Sequence, residues 1–421
     1  MKYSNLKFLL LVTYVLFPTM LRAQVYLDSC QALALQNYPL IKQYDLIEEA
    51  KAYSLANAGK SYLPQFDVTL IGGIIEGLPT ITLPGQPEAN DGLDFQFITM
   101  LQLNQVIWDG GITKARKTVI EASAEIEKAE LEVELYALAD RINNLFFGIL
   151  LIDEQIGQLE LLNTSLDRNK KRVEVAVENG TAFKSDIDEI QVEIIKANQK
   201  IDELRFNRTS FVTVLSLMTS QEFSSDDEFI RPPGTDKYVT LGINRPELAL
   251  LNNRLTLLQA QEQIQKATLY PKVGVMGFAT FIQPGANFGT SQIENVLVAG
   301  LSLNWRIAEL YRNNNNKKLT EVNLRKVEVQ REAFLFNTNL GLSQLNNELL
   351  KLASLIEQDR DILRLKGNIR KSYDVKYENG VSTMSELLDK VNDESVARQQ
   401  LVLHEIQYLK KLYEYQNLSG N

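Results

Sequence analysis

The chain has 421 residues, with 44 lysines and arginines against 53 aspartates and glutamates and a net charge of −9. That balance excludes nucleic acid as a partner, because binding phosphate needs a basic patch. A single cysteine and a single histidine exclude an internal disulfide framework, a metal cluster of standard spacing, and a nucleophile–base pair built on either residue.

At the N-terminus, Lys2 and Lys7 lead into an apolar run from Phe8 to Phe17, then Pro18 and Leu21-Arg22-Ala23. A charged segment, a short apolar segment and a small residue at the cut predict a secretory signal peptide over 1–23. Its removal leaves 41 basic and 53 acidic residues, a net charge of −12. Cys30 follows Leu27-Asp28-Ser29, where the acid disfavours a lipid-attachment site, so it reads as a free thiol on a helix. No later stretch approaches the roughly 18 to 20 apolar residues of a membrane helix; the best is "LFFGILLI" at 145–152.

The remaining chain is written twice. Asn37-Tyr38-Pro39 recurs as Asn244-Arg245-Pro246 and Leu63-Pro64 as Tyr270-Pro271, both 207 residues on. Leu103-Asn104 recurs as Leu303-Asn304, and Glu178-Asn179-Gly180 as Glu378-Asn379-Gly380, both 200 residues on. The change of offset falls in "GLPTITLPGQPEANDG" (77–92), a loop by composition. We read a first repeat over 24–220, with strands at about 64–75 and 93–108 and a helical hairpin over 111–218. A linker covers 221–243. The second repeat, 244–421, has strands at about 271–282 and 295–306 and a hairpin over 312–418.

Ile112 to Val177 contains no proline and as a helix would reach roughly 100 Å; about Asn313 to Tyr377 has the same reach. After Gly180, Ile187, Ile190, Ile194, Ala197, Ile201, Leu204, Phe211, Leu215 and Met218 form a heptad seam interrupted by Arg208. The last helix carries two apolar stripes, one through Leu387, Val391 and Leu401 and one through Met384, Leu388 and Ile406, which predicts two neighbours. His404 lies on its seam and reads as a packed imidazole.

The strands alternate. Phe66, Val68 and Leu70 interleave with Gln65, Asp67 and Thr69; Phe95, Phe97, Leu101 and Leu103 with Gln96, Gln102 and Asn104; Leu297, Leu301, Leu303 and Trp305 with Ser302, Asn304 and Arg306. Residues 272–281 are apolar or glycine on both faces. Such alternation fits a transmembrane β-barrel strand and equally a half-buried sheet. Four strands cannot close a barrel, which needs about eight, and open edges cannot sit in lipid, so a membrane reading requires several copies. Tyr62, Trp108, Tyr270 and Trp305 fall at the strand ends nearest the long helices, where an interfacial aromatic belt would lie; Trp305 has outward parity, Trp108 inward unless it sits beyond a bulge.

Asn179-Gly180 and Asn379-Gly380 read as helix C-terminal caps. Thr383 and Glu386 are spaced as a capping box, Ser185 and Asp188 as a looser one.

Over essentially the whole mature chain this order resembles the TolC family of outer-membrane efflux proteins. The resemblance rests on "LDSCQALALQN" (27–37), "NRPELALLNN" (244–253), "LPQFDV", "YPKVGV", "VIWDGG" (106–111) and the two post-Gly turns. It implies a mainly α fold with a β-barrel part: a homotrimer pooling four strands per chain into a twelve-stranded barrel in outer-membrane lipid, with a periplasmic helical barrel. The turns at Asn179, Gly180, Thr181 and at Asn379, Gly380, Val381 would dock a periplasmic adaptor, itself served by an inner-membrane RND or ABC pump. By the same resemblance Tyr377 and Asp186 match a lock at the tip. Ser382 stands where an arginine usually assists it, with Lys184 a possible substitute, and Glu386 and Asp389 match acids ringing the lumen constriction. No cofactor, metal or enzymatic activity is expected. The alternative reading is a periplasmic coiled-coil scaffold or adaptor without a barrel, although adaptors carry one hairpin and this chain has two.

Overall fold

The computed structural model describes residues 24–74, 95–224, 226–234, 242–283 and 294–420. The expected signal peptide, the loop at 77–92 and the linker segment 235–241 lie outside the described residues. The elements run β1 (Gln24–Val25), α1 (Leu27–Asn37), α2 (Gln43–Gly59), β2 (Gln65–Ile74), β3 (Phe95–Trp108), α3 (Ile112–Glu178) and α4 (Lys184–Thr219). They continue with β4 (Glu228–Phe229), α5 (Pro246–Ala267), β5 (Lys272–Gln283), β6 (Glu294–Asn304), α6 (Ala308–Glu378) and α7 (Met384–Ser419).

The chain divides into two compact units. One comprises residues up to 41, 132–246 and 335–421; the other comprises 42–131 and 247–334. Each draws on both sequence repeats.

In the first unit β1 pairs in parallel with β4, Val25 opposite Phe229. Around this pair Leu27, Cys30 and Ala34 of α1 pack with Ile142, Phe146, Phe147, Ile149 and Leu150 of α3, Leu215 of α4 and Ile406 and Leu409 of α7. Burial pushes the Cys30 thiol up to about 11, so it stays protonated and inert. This stretch of α3 belongs to a helix apolar and long enough to cross a membrane by length and composition, half of the apolar window being buried in the protein.

The seam of α4 buries Ile190, Ile194, Ala197, Ile201, Leu204 and Leu215, and also Val212 and Thr219; Phe211 and Met218 pack only partly. Its polar interruption is paired. Arg208 bonds both oxygens of Asp153 and the Asp227 carbonyl, and its guanidinium lies 5.6 Å from the Phe229 ring centre. A buried guanidinium requires such partners. His404 bonds Asp359 of α6 through Nδ1 at 2.5 Å.

The second unit holds a four-stranded antiparallel sheet in the order β2-β3-β5-β6. Register carries one apolar row across it. Phe66 faces Leu103 and Val68 faces Leu101; Leu103 faces Gly277 and Leu101 faces Ala279; Val275 faces Leu301 and Ala279 faces Leu297. The irregular strand at 272–281 therefore has a defined outer face, set by its neighbours. The opposite face carries Gln65, Asp67, Gln102, Asn104, Ser302 and Asn304 near the helix-proximal end.

Trp108 does sit beyond a bulge. A bulge skips Ile107, so that Val106 faces Gly274 while Trp108 faces Val273, on the apolar side with Leu303. One extra residue reverses the facing of all that follows it.

Candidate functional site

Two places concentrate the predicted residues: the pair of tip turns in the first unit and the helix-proximal rim of the sheet in the second.

Both tip turns close by the same backbone bonds. Gly180 donates to Val177 O and Thr181 to Ala176 O; Gly380 donates to Tyr377 O and Val381 to Lys376 O. These are the two bonds of a Schellman motif. It needs a left-handed residue, and Gly180 and Gly380 have φ of 74° and 69°. Asn179 and Asn379 each return an amide bond to the carbonyl four residues back, at 2.9 and 2.8 Å.

The helices that leave the turns are capped differently. At α7 the Thr383 amide donates to Glu386 Oε2 at 3.0 Å and the Glu386 amide to Thr383 Oγ1 at 3.2 Å, a complete capping box. At α4 the expected Ser185–Asp188 box is corrected. The helix already begins at Lys184 with Phe183 as N-cap, and the Phe183 amide donates to Asp186 Oδ2 at 3.1 Å. Phenylalanine has no oxygen to return the bond, and its ring is 78% exposed; Val381 on the other turn is 73% exposed.

Among the lock residues, Tyr377 and Asp186 come close without a hydrogen bond between them. Burial, then the Asp186 charge, raises the Tyr377 phenol above its ordinary pKa, with Arg172 acting the other way. Lys184 is exposed and makes no ion pair among the described residues. Ser382 Oγ donates to Tyr373 O at 3.4 Å. One charged contact beside Tyr377 is not visible in the sequence. Arg172 of α3 reaches Glu378 Oε1 and Asp374 Oδ1 of α6, each at 2.7 Å, and Asn169 Oδ1 at 2.8 Å. Nothing local to Arg172 marks it, since its partners are two hundred residues away.

Glu386 and Asp389 are both exposed. Asp389 lines an open groove of about 490 Å³ between α4 and α7 with Asp188, Glu189 and Glu193. Glu193 accepts from Asn392 Nδ2 at 3.0 Å, and Lys196 followed by Asn392 lowers its pKa against the effect of burial.

At the rim, Trp108 and Tyr270 meet edge to face at 6.4 Å, and Trp305 Nε1 donates to Leu269 O at 3.0 Å. Tyr62 donates to Asp109 Oδ1 at 2.9 Å. Asp109 also takes the amides of Gly111 and Thr113, at 2.9 and 2.7 Å, and so caps α3. Burial alone would raise its pKa, but the bonds from Thr113, Tyr62 and Gly111 outweigh it and the net shift is downward. The signal was present as Asp-Gly-Gly ahead of a helix. Gly110 is required twice over, by a φ of 72° and by Tyr270 and Ala267, which a Cβ would meet at 2.8 and 2.9 Å.

Residues 238–421 match the family model described as Outer membrane efflux protein. No curated protein matches the sequence. The fold is shared with the outer membrane protein VceC of Vibrio cholerae, at 13% identity over 93% of this chain and 96% of that one, with a TM-score of 0.65. It is shared with the CmeC channel of Campylobacter jejuni, at 13% identity over 94% and 85% and a TM-score of 0.64. The open-state MtrE channel of Neisseria gonorrhoeae is similar at 12% identity over 93% and 88%, with a TM-score of 0.64. At these identities the structures speak for the fold, and the family match speaks for residues 238–421. Residues 238–421, which hold the second long hairpin and two of the four strands, thus match the Outer membrane efflux protein family, and the chain shares the fold of the outer membrane channels CmeC and MtrE.

Proposed function

We propose that three copies of this chain form the passive exit duct of a tripartite efflux or type I secretion system, opened when a periplasmic adaptor docks at the tip turns. TolC-family channels are trimeric and work with efflux partners; the adaptor and an inner-membrane RND or ABC pump are the partners proposed here. The observation that carries the reading is the state of the sheet edges. β2 and β6 each pair on one side only, and the row that faces away from the polar side stays bare, with Leu297 and Leu301 81% and 80% exposed. Unpaired edges invite further strands, and in lipid they must find them. Because all three pairings are antiparallel, β6 of one copy and β2 of the next also run antiparallel. Three copies then close twelve strands with their apolar rows outward, and Tyr62, Trp108, Tyr270 and Trp305 form an aromatic girdle at the periplasmic rim.

Within this duct, Phe183 and Val381, with the backbone turns at Asn179, Gly180, Thr181, Asn379 and Gly380, present an apolar, conformationally fixed surface to the adaptor. Tyr377, Asp186 and Arg172 hold the hairpins together at rest, and Glu386 with Asp389 line the narrowest passage. The test is assembly in outer-membrane fractions. Heat-modifiable trimers resistant to carbonate extraction, cross-linked between cysteines placed on β2 and β6, are expected. A carbonate-soluble monomer would instead fit the scaffold alternative.

A further inference from the structure

Away from the tip acids, the first unit contains a place of opposite character. A cavity of about 550 Å³ lies between α3, α6 and α7, lined by Arg168, Arg172, Arg370 and Arg398 and by only two acids, Asp374 and Glu394. In a chain where acids outnumber bases, this is a local inversion of charge. The two acids are already shared. Asp374 takes Arg172 at 2.7 Å and faces Arg370 at 3.9 Å; Glu394 takes Arg370 at 2.7 Å and Arg398 at 3.1 Å. Each guanidinium presents a fork of N–H donors and no acceptor, so the lining offers more donors than its carboxylates can take.

Arg168 has the least to do. Its Nε makes only a long bond, 3.4 Å, to Thr164 O in its own helix, and it has no ion pair among the described residues. The wall also has an apolar part. Leu161, 60% exposed, lines the cavity together with Leu162 and Val391. The volume is that of a small-molecule site and well beyond what a bare inorganic oxyanion fills.

We propose that this cavity is a binding site for an amphiphilic organic anion, a sulfonate, sulfate or carboxylate on an apolar body. Its head takes the spare donors of Arg168 and Arg398, and its body lies on Leu161 and Leu162. The site is independent of the duct reading, since it needs neither adaptor nor pump.

Calorimetric titration of the purified full chain in nanodiscs, with the heat into empty nanodiscs subtracted, tests it with naphthalene-2-sulfonate. Saturable binding is expected, weakened about tenfold or more in Arg168→Ala, as loss of a charge-assisted bond implies, and weakened less in Arg168→Lys. Arg168 is exposed, so Arg168→Ala should keep the wild-type circular dichroism. Uncharged 2-naphthol and inorganic sulfate should each bind far more weakly. Unchanged sulfonate affinity in Arg168→Ala overturns the proposal, as does equal affinity for 2-naphthol or for sulfate. If the wild type takes up no sulfonate while Arg168→Ala loosens the trimer, a neighbouring copy's carboxylate fills the cavity and the proposal falls.

Discussion

The two tip turns share their backbone and part in the side chains that flank it. Gly180 and Gly380, Asn179 and Asn379, and the two Schellman bonds correspond one for one. At the positions 200 apart around them, Val177 corresponds to Tyr377, Arg172 to Ser372, Ala182 to Ser382 and Phe183 to Thr383. Reversing a helix has few solutions, so both copies kept the one they had. The surfaces by which one hairpin grips the other cannot be the same on both, and there the copies parted.

The shared glycines carry the largest expected effect. Gly180→Val and Gly380→Val each force a β-branched residue into the left-handed region, at a cost of roughly 2 kcal/mol or more once the turn bonds strain as well. Nothing stands within 4 Å of a Cβ at either position, so the penalty is one of conformation and should be nearly equal in the two turns. Denaturant unfolding measures it. A loss in one turn and none in the other would mean that the matching bonds do not reflect matching strain. Gly380→Val should also impair export while leaving insertion of the strands intact, read by outer-membrane fractionation beside a transport assay.

The next test acts on the caps, where the turns differ. Thr383→Ala removes the hydroxyl that accepts the Glu386 amide and should cost about 1 kcal/mol. Phe183→Thr supplies the missing half of the box at the other turn and should gain a similar amount or somewhat less. Stability would then rise while adaptor binding falls, because the exposed ring is gone. A Phe183→Thr protein that gains stability and binds adaptor as before would remove the ring from the docking surface.

Legibility follows the same division. The breaks at Gly180 and Gly380, the seam of α4 and the alternation on β2, β3 and β6 are local patterns, and each is visible because its period or its residue type reports directly on the backbone. The outer face of β5 was not visible, since glycine and apolar residues stand on both of its sides; only its pairing with β3 and β6 assigns it. The facing of Trp108 stays open in the sequence, because an inserted residue at 107 leaves no mark in composition and only the mismatch with Trp305 suggests a bulge. Arg172 was passed over in favour of Lys184 for a stronger reason. Which residues face each other across two helices depends on their relative rotation, which no stretch of either one records. Asp109 was within reach, as a carboxylate ahead of two glycines and a helix.

Arg172→Ala separates the copies where they hold each other. Its partners are part-exposed, at 29% for Asp374 and 54% for Glu378, so solvent screens both pairs and the stability loss should be about 1 kcal/mol or less. The functional effect should exceed the thermodynamic one, as a raised resting conductance in planar bilayers, because the fork ties α3 to α6 at the depth of Tyr377. Lys184→Ala, in contrast, should leave the closed channel unchanged. A leak in Lys184→Ala and none in Arg172→Ala would restore the assignment that the resemblance suggested.

The smallest expected effect on stability belongs to the proposed constriction, and there the choice of substitution decides what is learned. Glu386 accepts the Thr383 amide, so Glu386→Ala would damage the cap and the charge together, and altered currents could follow from either. Glu386→Gln keeps an acceptor at the position where glutamine completes a capping box as glutamate does, and Asp389→Asn keeps the shape of an exposed side chain. The pair therefore removes charge alone. Three copies would lose six carboxylates from one level of the passage, and carboxylate rings favour cations. The double variant should thus show wild-type unfolding within a few tenths of a kcal/mol, as for surface substitutions, with a clear fall in cation preference in reversal-potential measurements under a salt gradient. Unaltered selectivity with an intact cap would leave Glu386 as a helix-capping residue and move the constriction elsewhere in the channel.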